Sequence, residues 1–244
     1  MTFRVRRQLT PCGGLGLDVF RGRSMTHVER LNRGRVGATV LTAIVGVAVG
    51  CSGRPARVRQ PAIDPAAAAA KALEAYDTDR NGSIAGSELD AAPALKSALE
   101  RLDANRDGGV SADEIAARVN AWKAMKTALV SVRCLVTQDG RPLPGATVTF
   151  EPEPFLGEHV KTATGQTNQF GDAAPTVSDA DKPDPSLPGG VHFGFYTVRI
   201  SKPAGGRESV PAHANAKSTL GLEVAYDEPG IRDNNLAFRL KSAD

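Results

Sequence analysis

The sequence predicts an α+β, multidomain fold: a small all-α unit followed by an antiparallel β-sandwich. Three observations predict it. Up to Lys126 the apolar residues recur with the 3.6-residue period of helices, and beyond it they alternate with period 2 to the end. The alternating segments are separated by turn-forming runs, Asp139-Gly140, Pro144-Gly145, Pro188-Gly189-Gly190 and Pro229-Gly230. The basic residues are also unevenly placed. Residues 1–51 hold eight Lys/Arg against two Asp/Glu, so of 30 and 27 in the whole chain, 22 and 25 remain in residues 52–244, a net charge of −3. The folding part is therefore mildly acidic and has no basic stripe, which excludes nucleic acid as a partner.

The first element is an address. Arg30, Arg33 and Arg35 precede fifteen uncharged residues, Val36 to Gly50, and then Cys51. That run is shorter than the roughly 20 residues of a membrane span and has the length of a secretory hydrophobic region. Ala48, Val49 and Gly50 are small, as a signal peptidase requires. This stretch of about 25 residues resembles the lipobox of bacterial lipoproteins, with Ala48 where Leu is commoner. The resemblance implies a signal peptide over 1–50, a diacylated Cys51 held through a thioether as the new N-terminus, and a membrane-anchored lipoprotein on the extracytoplasmic side of the cell envelope. Met25 is an alternative start that puts the basic segment at the N-terminus and removes Cys12. Cys134 is then the only free thiol, and no intrachain disulfide is expected.

A Ser/Gly/Arg/Pro-rich tether follows, giving a lipidated cysteine and linker over 51–64. Asp64-Pro65 is a helix start, a carboxylate N-cap followed by Pro at the first helical position. Residues 65–125 read as helix–loop–helix twice. Pro93 opens the second pair, and the helix before it has room for about one turn.

The two loops carry the chemistry. Asp77, Asp79 and Asn81 are followed by Gly82, Ser83 and Glu88; Asp103, Asn105 and Asp107 are followed by Gly108, Gly109 and Glu114. Each run has oxygen side chains at positions 1, 3 and 5, Gly at 6 and Glu at 12, the pattern of an EF-hand calcium loop. A hard cation taking about seven oxygens needs that spacing, because short side chains on alternate residues of a tight turn converge on one point. The Ser83 and Gly109 carbonyls come round at position 7, and Glu88 and Glu114 close the shell. Leu73 and Tyr76, and Leu99 and Leu102, stand four and one positions before the loops and would hold the entering helices on a shared core. Ile84 and Val110, both at position 8, are expected to pair as a short β-bridge. The cofactor expected is Ca²⁺, with dissociation constants of about 10⁻⁴–10⁻³ M, as in extracellular modules.

Five alternating segments make the sandwich: Val130–Val136, Thr147–Phe150, Tyr196–Ser201, Leu220–Val224 and Leu236–Leu240. The run Asp139-Gly140-Arg141-Pro142-Leu143-Pro144-Gly145-Ala146-Thr147-Val148-Thr149-Phe150 resembles the opening hairpin of carboxypeptidase regulatory-like domains. Gly165 to Gly171 is similar to that family's T-x-x-x-G turn, and Gly194 to Ile200 to its G-x-Y-x-V-x-I strand. The likeness covers roughly 128–242, within an expected domain 127–244. It implies a transthyretin-like, Ig-like sandwich with a noncatalytic role and carries over no active-site residues. His159, His192 and His213 have no zinc spacing, and no nucleophile elbow is present, so no catalytic residues are assigned. The stretch Asp179–Pro188 reads as a solvated loop. The expected function is an exported, lipid-anchored calcium-binding protein with an interaction module for a protein or glycan partner. The alternative is a regulatory or substrate-binding subunit of an exported hydrolase.

Overall fold

The computed structural model describes residues 60–242. The signal segment, Met25 and Cys51 lie outside the described residues. The chain is mixed α and β with several antiparallel sheets.

The helical part begins with α1 (Pro65–Tyr76), where Asp64 caps the first turn by accepting from Ala66 N–H (3.0 Å) and Ala67 N–H (3.2 Å). Next come β1 (Ser83–Ala85), the one-turn α2 (Ser87–Ala91), α3 (Pro93–Leu102), β2 (Gly109–Ser111) and α4 (Ala112–Ala124). Helices α1 and α4 pack together, with the small Ala68, Ala69 and Ala72 of α1 buried. Ser111 and Glu114 form a reciprocal capping box at the start of α4. Ile115, Val119 and Trp122 form the buried stripe of α4, as their i, i+4, i+7 spacing requires.

The β part contains β3 (Cys134–Gln138), β4 (Arg141–Pro142), β5 (Thr147–Pro152), β6 (Ala163–Gln166), β7 (Asp172–Ala173) and β8 (Thr176–Val177). It continues with β9 (Gly194–Ser201), the short hairpin β10 (Pro203–Ala204) and β11 (Arg207–Glu208), β12 (Gly221–Val224), α5 (Pro229–Arg232) and β13 (Ala237–Leu240). One sheet has the order β12-β9-β5-β6-β8, antiparallel throughout. The second has the order β13-β3-β4, with β7 also on β3. The sheets meet through apolar side chains, among them Phe150 of β5 and Phe238 of β13, whose ring centroids are 6.3 Å apart.

Two expectations are corrected here. β13 runs parallel to β3, not antiparallel, with Ala237 opposite Leu135 and Leu240 opposite Gln138. Alternation fixes which face a side chain takes but not strand direction, and β13 arrives through the connection that holds α5 rather than a hairpin. The segment expected from Val130 keeps its alternating burial, but its ladder starts only at Cys134; before that, Val130 makes a single bridge to Val191. Two turns read from the sequence meet: Thr167 Oγ1 donates to Leu143 O (2.6 Å) and accepts from Ala146 N–H (2.8 Å).

The helices cover one end of the first sheet. Its inner face carries Tyr196, Val198, Leu222 and Val224 towards the other sheet. Phe195 and Glu223, directly opposite each other on β9 and β12, point to the helices. Trp122 of α4 lies on Phe195 with ring centroids 4.8 Å apart. At Gly221 the start of α3 comes so close that a Cβ would sit 1.8 Å from Pro93 O, so only glycine fits there.

Candidate metal centre and its attachment to the sheet

The two twelve-residue loops repeat one another bond by bond. In the first, Asp77 Oδ1 accepts from Asn81 N–H (3.1 Å) and Oδ2 from Gly82 N–H (2.9 Å). In the second, Asp103 Oδ1 accepts from Asp107 N–H (3.1 Å) and Oδ2 from Gly108 N–H (2.9 Å). The third positions match as well, Asp79 accepting from Asn81 N–H and Asn105 from Asp107 N–H, each at 3.0 Å. So do the fifth, Asn81 accepting from Ser83 N–H (2.8 Å) and Asp107 from Gly109 N–H (2.9 Å). The backbone turns left-handed at Arg80 (φ 59°) and Gly82 (φ 89°), and again at Arg106 (φ 62°) and Gly108 (φ 85°). A side chain at either glycine would strain the bend that brings position 7 inward.

The glutamates at position 12 reach back across their loops. Glu88 Oε1 accepts from Thr78 N–H (2.6 Å) and the Thr78 hydroxyl (2.8 Å), and Oε2 from Ala85 N–H (3.1 Å). Glu114 Oε1 accepts from Ala104 N–H (3.0 Å) and Oε2 from Ser111 N–H (2.8 Å). Hydrogen bonds from Ala85 N–H and the Thr78 hydroxyl hold the Glu88 carboxyl below its ordinary range. The Gly109 N–H and the Asn105 amide do the same for Asp107. β1 and β2 join the loops, with Ile84 opposite Val110 and both fully buried.

Asp77, Asp79 and Glu88 bring carboxylate oxygens within 4.8 Å of one another, the one such group of three acids among the described residues. In the second loop the third position is the amide of Asn105, which bonds to Asp107 Oδ2 (2.8 Å). The sequence-derived ligand residues thus fall into two sets, Asp77, Asp79, Asn81, Ser83 and Glu88, and Asp103, Asn105, Asp107, Gly109 and Glu114. Their donors are all oxygens, which suits a hard cation and not a thiophilic one. The first loop alone brings three acids to one point; Asp103, Asp107 and Glu114 of the second form no such group.

The sheet grips both loops through buried carboxylates. Glu223 of β12, fully buried, accepts from Arg101 Nε (3.0 Å) and from Arg118 Nε, and from Trp122 Nε1–H (3.0 Å). Arg118 also makes a two-pronged pair with Asp227, at 2.8 and 2.7 Å. Burial works against the Arg118 cation, but its bonds to Asp227 and Glu223 outweigh that and raise its pKa. Arg101 Nη2 is buried without a partner, and among the described residues Glu223 is the one anion paired with that guanidinium. On the other side Glu153, which follows β5, accepts from Tyr76 Oη–H (2.6 Å) and the Thr197 hydroxyl (3.0 Å). Burial raises the pKa of the Glu153 carboxyl, against the pull of these two bonds. Tyr76 immediately precedes Asp77, and Arg101 stands two residues before Asp103, so each entering helix is tied to the sheet beside its loop. Sequence reading identified Tyr76 as a packing residue but missed Glu223, Glu153, Arg101 and Arg118. Comparison of the chain with protein-family models, with curated proteins and with solved structures finds no match.

Proposed function

We propose that the protein is an exported, lipid-anchored calcium-binding protein with an EF-hand pair, whose transthyretin-like sandwich is a noncatalytic interaction module. The observation that carries this reading is the bond-for-bond repetition of the two loops, each with oxygen donors at positions 1, 3, 5 and 12. A polar turn that arises once needs no ligand to explain it. Two turns alike in the bonds of their first aspartates, in left-handed positions and in cross-loop pairing share a common requirement, and a cation provides one.

Calcium would be held by Asp77, Asp79, Asn81, the Ser83 carbonyl and Glu88, and by Asp103, Asn105, Asp107, the Gly109 carbonyl and Glu114. Its charge would offset the mutual repulsion of the three acids in each loop. Because Tyr76 and Arg101 fasten the entering helices to Glu153 and Glu223, ordering the loops also fixes the helices against the sheet.

The test is calorimetric titration of calcium into the chain from Cys51 to Asp244, alongside a Glu88→Gln, Glu114→Gln variant. Two binding events are expected, lost in the variant, with dissociation constants of about 10⁻⁴–10⁻³ M. No heat and no gain in thermal stability at millimolar calcium would overturn the reading.

A further inference from the structure

The described chain enters at a distinctive place. Gln60 Nε2 donates to Thr127 O (2.7 Å) and to Trp122 O (3.3 Å), fixing the entry point beside the end of α4. Two of the three large exposed apolar side chains among the described residues lie at this end: Met125, 49% exposed, and Tyr226, 46% exposed. Between Lys126 and Tyr226 runs a groove of about 440 Å³ whose walls include Leu129, Leu187 and Pro188, with no acidic side chain lining it. Lys123 and Lys126 are exposed here and form no ion pair among the described residues.

The sequence just outside this entry point extends the pattern. Only eight residues lie between Cys51 and Gln60, and three are cations, Arg54, Arg57 and Arg59. Fully extended, this stretch spans ~30 Å, so an anchor at Cys51 keeps the entry face close to the bilayer. Residues 52–244 carry a net charge of −3, yet Lys123 and Lys126 flank this face and three arginines stand in the eight residues of sequence before Gln60. An apolar patch flanked by lysines fits an anionic membrane surface, where apolar groups enter the headgroup layer and each cation adds attraction.

We propose that the face formed by Met125, Tyr226 and the groove between them, flanked by Lys123 and Lys126, rests on an anionic bilayer surface. This inference depends on the anchored reading of Cys51. The contact would set the orientation of the sandwich above the membrane.

The test separates this face from the anchor. The chain Cys51–Asp244, which contains all the described residues, is coupled through Cys51 to a maleimide phospholipid. Cys134 is buried and stays unmodified. Met125→Trp and Arg141→Trp variants, the second beyond the far end of β3, are bound to vesicles of phosphatidylglycerol and brominated phosphatidylcholine. A loss of emission and a blue shift are expected for Met125→Trp, with no change for Arg141→Trp. Without the coupled lipid, Lys123→Gln and Lys126→Gln should each weaken binding to phosphatidylglycerol vesicles about fivefold. Equal quenching at both positions, none at Met125→Trp, or binding indifferent to phosphatidylglycerol would overturn the proposal. So would a dimer in solution abolished by Met125→Ser, because the face would then serve a second copy. Mass spectrometry of the Cys51 peptide from a bacterial envelope tests the anchor itself. An unmodified cysteine there would sink the anchored reading, while the coupled-chain result still decides the face.

Discussion

Replacing Glu223 with Gln should cost about 3 kcal/mol of stability, and the geometry says why. The carboxylate is fully buried and is the anionic partner of Arg101 and one of two for Arg118. Breaking a buried pair by removing one partner costs about 3–5 kcal/mol, because the other charge stays behind without compensation. The low end applies, because the Arg101 and Arg118 side chains keep 18% and 13% exposure and Arg118 retains Asp227. Against a total of about 5–15 kcal/mol this is a large fraction. Urea unfolding followed by far-UV circular dichroism gives the loss from the shift in midpoint at constant slope. The chain has one tryptophan, Trp122, and its indole N–H donates to Glu223, so emission reports directly on this contact. A red shift should accompany the loss. A double-mutant cycle with Arg101→Met isolates the Arg101–Glu223 coupling. A cost under about 1 kcal/mol, in the range of a solvated surface pair, with unchanged emission would refute the reasoning.

Three further outcomes follow from the same geometry. Gly221→Ala should destabilise by about 1–3 kcal/mol by pushing α3 off β12, seen as a lower unfolding midpoint. Burial pushes the His192 imidazole from 6.5 down to about 4, so the unfolded chain takes up a proton in that window and the folded chain does not. Stability present above pH 6.5 should therefore fall by up to about 3 kcal/mol towards pH 4, and His192→Gln should flatten that slope in urea midpoints measured across the range. Burial pushes the Cys134 thiol up to about 12, with Asp172 adding to it. It should resist a thiol reagent at pH 8 in the folded chain and react at once in urea.

Local features were legible from the sequence and relational ones were not. The Asp64 cap, the one-turn α2, the opening of α3 at Pro93 and the Ile84–Val110 bridge depend on residues within a few positions of each other. The loop pattern reads out for the same reason. Glu223 did not, because alternation assigns it to the outer face of a strand, and nothing local says that helices more than 100 residues earlier will cover that face. The partners of Glu223 are likewise invisible: Arg101 and Arg118 look like solvent-facing charges on amphipathic helices. Strand direction is equally silent, so the parallel pairing of β13 with β3 appears only when the connection through α5 is traced.

The position of α3 on β12 has a consequence for how this chain can be divided. β12 is the outermost strand of the five-stranded sheet, and its partner-free side is the kind of edge that recruits another chain. The start of α3 packs on the outer face of this strand at the Pro93–Gly221 contact, and α4 shields Phe195 and Glu223 on the same face. A fragment starting at Thr127 would lose that cover and expose a buried aromatic ring and an unpaired acid beside the edge strand. The helical segment is thus a built-in guard against aggregation, and transplanting the sandwich into another protein would require bringing its helices with it.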